Sequence, residues 1–133
     1  MAQAGDTYTV ELKRAHLEWG EYRHTNSRGT VYGEGYIAIP AEIAYSAELL
    51  NQNGTKGADI LGKNIFYCKS ADGLFEGKLR TQGNQSNTLY AKQFSVDKNL
   101  KAVGTWYYRI NAEVGDIIKV SWQSPYDILI EKL

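Results

Sequence analysis

Between Lys78 and Gln93 the sequence reads KLRTQGNQSNTLYAKQ, which includes Lys78, Arg80 and Lys92 but neither Asp nor Glu. Gln82, Asn84, Gln85 and Asn87 crowd around Gly83 in the same stretch. Arg offers a planar fork of donors, and Asn or Gln offers a donor beside an acceptor. Such groups form paired hydrogen bonds with base edges, Arg with guanine O6 and N7, Asn or Gln with adenine N6 and N7. A carboxylate nearby would repel phosphates, so the lack of acids fits the same chemistry. A second segment, Tyr22 to Gly33, is built alike, with Arg23, His24, Asn26 and Arg28 and no acid. The candidate base readers are Arg80, Gln82, Asn84, Gln85 and Asn87 in one segment, and Arg23, Asn26 and Arg28 in the other. Lys78, Lys92, Thr25, Ser27 and Tyr32 suit phosphate contacts, which fix register without reading sequence. Solvated turns share this amide-rich composition, because Asn and Ser side chains bond their own backbone. For either segment taken alone, the solvated turn and the binding loop both stay open.

Other chemistry has less support. Glu76 and Lys78 lie one residue apart, so on a strand they would share a face, with Asp59 or Asp72 upstream. Nucleases that use Mg²⁺ employ such a carboxylate pair and Lys, and a self-contained nuclease is therefore one alternative. Asp72 stands in an Asp-Gly turn, however, and Asp59 in the polar run GTKGADILGK. His16 and His24 have no Cys or His at zinc spacing, and Cys68 is the one cysteine, set in the apolar run NIFYCKS. A thiol there is a small buried side chain rather than a nucleophile. No metal or other cofactor is expected, and no catalysis. Tyrosines and amides also suit sugars, so a glycan- or peptide-binding module is the remaining alternative.

These residues must be carried by a body of 133 residues, the size of one domain, 1–133. With 15 basic and 15 acidic side chains the net charge is zero, so an anionic partner must meet a local patch. The opening MAQAGDTYTV has no basic start followed by an apolar run, and no apolar stretch is long enough for a bilayer. A cytoplasmic protein without a membrane partner is expected.

Alternation of Tyr8, Val10 and Leu12 with polar residues predicts a first strand. A second strand, YIAIP, leads into the predicted helix PAEIAYSAELLNQNG, with Pro40 in its first turn, Ile43, Ala47 and Leu50 on one face, and Gly54 closing it. NIFYCKS and GLFEGKLRT form a hairpin around Asp72-Gly73, and TLYAKQFSV leaves the acid-free segment as another strand. A shorter helix is expected over NLKAVGTWYY, capped by Asp97 or Asn99 and weakened by Gly104. Two final strands, IIKVSW and YDILIEKL, are separated by Pro125. The fold expected is mainly β with two short helices: a seven-stranded open β-barrel with helices at its ends.

The order of these elements resembles the B-three-type DNA-binding pseudobarrel of plant auxin-response factors and of restriction-endonuclease recognition domains. The resemblance rests on GYIAIPAEIAYSAELL, a strand running through Ile-Pro into a helix, and on GTWYYRINAEVGDIIKVSW, an aromatic-bearing helix followed by a Gly-Asp turn and an apolar strand. It covers about Tyr8 to Leu133, although the family's Gly-Trp pair is split here by Thr105. The resemblance implies two arms that grip the major groove of double-stranded DNA. They match the loop from about Trp19 to Gly35 and the segment Lys78 to Gln93, and both are expected on one side of the body. It also implies that the chain recognises sequence for a nuclease domain or subunit.

Overall fold

The computed structural model describes residues 1–18, 34–83 and 89–133. Among these residues seven strands form one sheet: β1 (Thr7–Glu11), β2 (Ile37–Ala38), β3 (Ile65–Ser70), β4 (Glu76–Gln82), β5 (Gln93–Val96), β6 (Ile117–Ser124) and β7 (Asp127–Lys132). They lie in the order β1-β6-β7-β3-β4-β5-β2, and only the β3–β7 pair is parallel. The sheet curls until its edges meet, where the Tyr8 hydroxyl donates to the Ala38 carbonyl at 2.9 Å. The result is the seven-stranded, nearly closed barrel that the strand count predicts.

Alternation explains the interior. On β6, Ile118, Val120 and Trp122 point inward, and on β7 Ile128 and Ile130 meet them. Phe66 sits edge-on to both Phe94 and Trp122, with centroids 5.6 and 6.2 Å apart. Edge-to-face geometry of this kind adds to the burial of the rings themselves. Cys68 is buried in the same core, and burial pushes its thiol pKa up, away from thiolate chemistry.

Among the described residues three short helices accompany the sheet, where two were expected for the chain: α1 (Arg14–Leu17), α2 (Ala41–Ser46) and α3 (Ala102–Arg109). A single turn such as α1 has no amphipathic repeat by which to announce itself. It is held by His16, whose buried ring accepts the Lys13 N–H on Nδ1 at 3.1 Å. α2 begins after Pro40 with Glu42 in its first turn, as expected, but stops at Ser46 rather than running to Gly54. The chain turns at Glu48, which adopts a left-handed φ of 53°, and Leu49 and Leu50 extend to pair elsewhere.

On α3, Val103, Trp106 and Tyr107 are buried at the i, i+3, i+4 spacing of one face. The Trp106 indole donates to Asp72 Oδ2 at 3.0 Å, and the Tyr107 hydroxyl donates to the Tyr36 carbonyl at 2.8 Å. Asn99 rather than Asp97 lies at its start, accepting the Lys101 N–H at 3.3 Å. Gly104 has a role that its low helix propensity hides. A Cβ on Gly35 would lie 3.0 Å from Gly104 Cα and from the His16 carbonyl, so α1, α3 and the chain entering β2 meet backbone to backbone.

Candidate nucleic-acid interface

The β4 strand presents Glu76, Lys78, Arg80 and Gln82 outward while Leu79 and Thr81 face the core. Lys78 and Arg80 therefore stand on a strand and not in a loop, because β4 continues to Gln82 before the chain departs. Lys78 is exposed opposite Tyr67, with Nζ 6.0 Å from the centre of that ring. Gln82 pairs with Gln93 across to β5, and Gln93 Nε2 donates to Gln82 Oε1 at 3.3 Å. Lys92 is exposed beside them, while its backbone N–H donates to the Gln82 carbonyl at 2.7 Å. Among the described residues neither Lys78 nor Lys92 has a carboxylate at ion-pairing distance.

Arg80 requires a correction. Sequence reasoning makes it a base reader, yet all of its guanidinium nitrogens are engaged within the protein. Nη1 and Nη2 grip the two oxygens of Asp59 at 2.8 and 3.0 Å, and Nε donates to Asp97 Oδ1 at 2.9 Å. Its side chain is 17% exposed, and Ser95 is its cross-strand neighbour on β5. The forked hydrogen bond holds the Asp59 carboxyl below its usual range and raises Arg80 above its own. The partners lie too far off in sequence for spacing rules to find them.

The two acid-free segments are anchored on one ribbon, the β2–β5 pair. Residues 84–88 leave from the end where Gln82 meets Lys92 and where the Ile39 N–H donates to the Lys92 carbonyl at 2.9 Å. Residues 19–33 return at the other end, where the Gly35 N–H donates to the Leu100 carbonyl at 3.3 Å and the Tyr36 N–H to the His16 carbonyl at 3.1 Å. The expectation of two arms side by side thus becomes two anchors flanking a short ribbon. The ribbon between them pairs Ile37 with Phe94 and Ala38 with Gln93. Arg23, Asn26, Ser27, Arg28, Tyr32, Asn84, Gln85 and Asn87 lie outside the described residues.

An Arabidopsis FUS3–DNA complex, a solved structure, matches over 94% of this chain and 93% of that one, with a TM-score of 0.51 and 13% identity. The two share a fold. No family model matches the chain, and no curated protein matches it. The fold is therefore that of the plant FUS3 structure, reached at an identity where residue-by-residue roles do not transfer.

The nuclease constellation does not come together. Glu76 and Lys78 share a face, but Asp59 is spent on Arg80, and Asp72 accepts from the Ser70 hydroxyl, the Leu74 N–H and the Trp106 indole. Among the described residues no three of His, Cys, Asp and Glu are grouped to hold a metal ion. His16, buried against the Tyr36 ring, is held below its ordinary pKa by burial and by the Lys13 charge. Among the described residues no helix is long and apolar enough to cross a membrane.

Proposed function

We propose that this chain is a sequence-specific double-stranded-DNA-binding domain that grips the major groove with residues 19–33 and 84–88. The carrying observation is the anchoring of both acid-free segments at the ends of one ribbon. The fold shared with a protein solved in a DNA complex supports the same reading. In it, Arg23, Asn26, Arg28, Gln82, Asn84, Gln85 and Asn87 read bases, while Ser27, Tyr32, Lys78 and Lys92 hold phosphates. Arg80 supports the platform instead. The domain recognises and does not cut, serving a restriction nuclease domain or subunit in the cytoplasm.

Selection from random duplex DNA with the purified chain tests this. Enrichment of one short motif is expected, and Arg28→Ala should relax one position of it by roughly 1–3 kcal/mol. Retention of no duplex even at low salt would overturn the reading, and retention of a glycan in its place would support the binding-module alternative. Magnesium-dependent cutting by the chain alone would return Glu76 and Lys78 to consideration.

A further inference from the structure

A third stretch without a carboxylate lies outside both arms. From Leu49 to Ala58 the sequence LLNQNGTKGA carries Asn51, Gln52, Asn53 and Lys56 and no acid. Where the end of a helix was expected, to Gly54, the chain instead folds this stretch into a turn stitched to Thr81, Leu89 and Ala91, the described residues on either side of 84–88. The Asn51 N–H donates to the Leu89 carbonyl at 2.9 Å, the Ala91 N–H to the Leu49 carbonyl at 2.8 Å, and the Thr81 hydroxyl to the Leu50 carbonyl at 2.6 Å. Contact with the outgoing β4 chain is just as close: a Cβ on Gly83 would fall 2.6 Å from Asn51 Nδ2.

The turn is also braced from within. Buried Asn64 donates to the Ala58 carbonyl at 2.9 Å and accepts the Ile60 N–H at 2.7 Å, and the Gly57 N–H donates to the Gln52 carbonyl at 2.8 Å. Gln52, Asn53, Lys56 and Gly57 are left exposed, and with Leu89 they line a groove of about 610 Å³. Acids bordering the turn are already occupied: Asp59 by Arg80, and Glu48 by Lys63 and the N-terminal amine. Lys56 has no carboxylate at ion-pairing distance among the described residues.

We propose that this turn is a third contact with DNA, a phosphate clamp beside the groove that residues 84–88 read. Lys56 supplies the charge, and the Gln52 amide donates to a phosphate oxygen of the adjoining strand. Such contacts add affinity and fix register without reading bases. The clamp rests on the DNA-binding reading above and extends its footprint.

The test measures affinity of the full chain for its selected duplex against salt, for wild type, Lys56→Gln, Lys56→Arg and, as control, Lys119→Gln on β6. One lost counterion-releasing contact lowers the slope of log K against log salt by about 0.9, or roughly fourfold in affinity near 200 mM and fifteenfold near 50 mM. Lys56→Gln should show that loss equally on selected and scrambled duplexes with its melting temperature kept, and Lys56→Arg should retain the wild-type slope. Lys56→Gly, which the left-handed φ of 55° accepts, guards against a folding artefact. A wild-type slope in Lys56→Gln and Lys56→Gly, with wild type binding well, would overturn the clamp and leave the DNA-binding reading standing. No duplex binding by wild type would overturn both.

Discussion

If Arg80 braces the platform rather than reading a base, replacing it should damage the fold before it alters specificity. Its bond to Asp97 joins side chains that are 17% and 20% exposed, and a charge-assisted hydrogen bond of that kind contributes about 2 kcal/mol. The Asp59 bond is bidentate but reaches a carboxylate that is 59% exposed, so solvent screening leaves it a small share. Arg80→Ala should therefore lower stability by about 2 kcal/mol, a melting-temperature drop of roughly 8 °C for a chain of this size. Urea denaturation of the single and double variants gives the coupling directly. The Arg80→Ala/Asp97→Ala cycle should show a coupling above about 1 kcal/mol, and the Arg80→Ala/Asp59→Ala cycle a smaller one. Full stability in Arg80→Ala, joined to lost discrimination at one base of the selected site, would refute this reasoning and restore Arg80 to the reading arm.

Further outcomes follow from other sites. Lys92→Ala should weaken binding of all duplexes alike and flatten the salt dependence by about 0.9, as read in the same titrations. Gly35→Ala should cost roughly 1–3 kcal/mol of stability, because the atoms 3.0 Å from the new Cβ are backbone and cannot swing aside. His16 has its folded pKa lowered from 6.5, so the unfolded chain binds the proton first. Stability should be full above 6.5 and fall as pH drops below it, and His16→Gln should remove that part of the slope in denaturation at several pH values. Asp72 is drawn upward by burial but more strongly downward by its hydrogen bonds to Ser70, Leu74 and Trp106 and by the Arg109 charge. Its contribution is present above the ordinary carboxylate value of 3.8 and lost as pH falls through the lower folded value, so Asp72→Asn should flatten the acid limb of the same curves.

The parts of this molecule legible in sequence are those whose cause is local. Period-two alternation at Tyr8–Leu12, Ile118–Trp122 and Ile128–Ile130 marked strands, and Asp72-Gly73 marked its hairpin, because pleat and turn chemistry act over a few residues. The helix predicted through Leu50 failed because Leu49 and Leu50 find better partners in Ala91 and Tyr90, some forty residues on. Arg80 looked like a reader because Asp59 and Asp97 are distant in the chain, and α1 was missed because one turn leaves no periodic trace. Of the candidate interface, composition exposed the two acid-free segments. It also held the third, Leu49 to Ala58, whose first half, to Gly54, was expected as the end of a helix until the turn placed it beside Leu89.

The strand nearest the C-terminus, β7, is not at the sheet's margin but in its middle, between β6 and β3. The six strands that precede β7 in the chain must therefore be synthesised before the central staves can join. Until then Tyr67 to Ser70 on β3 lack their partners on β7 and remain open to adventitious pairing. Assembly of this barrel is thus a late, collective event, and its folding rate should be governed by that long-range closure rather than by any early local nucleus.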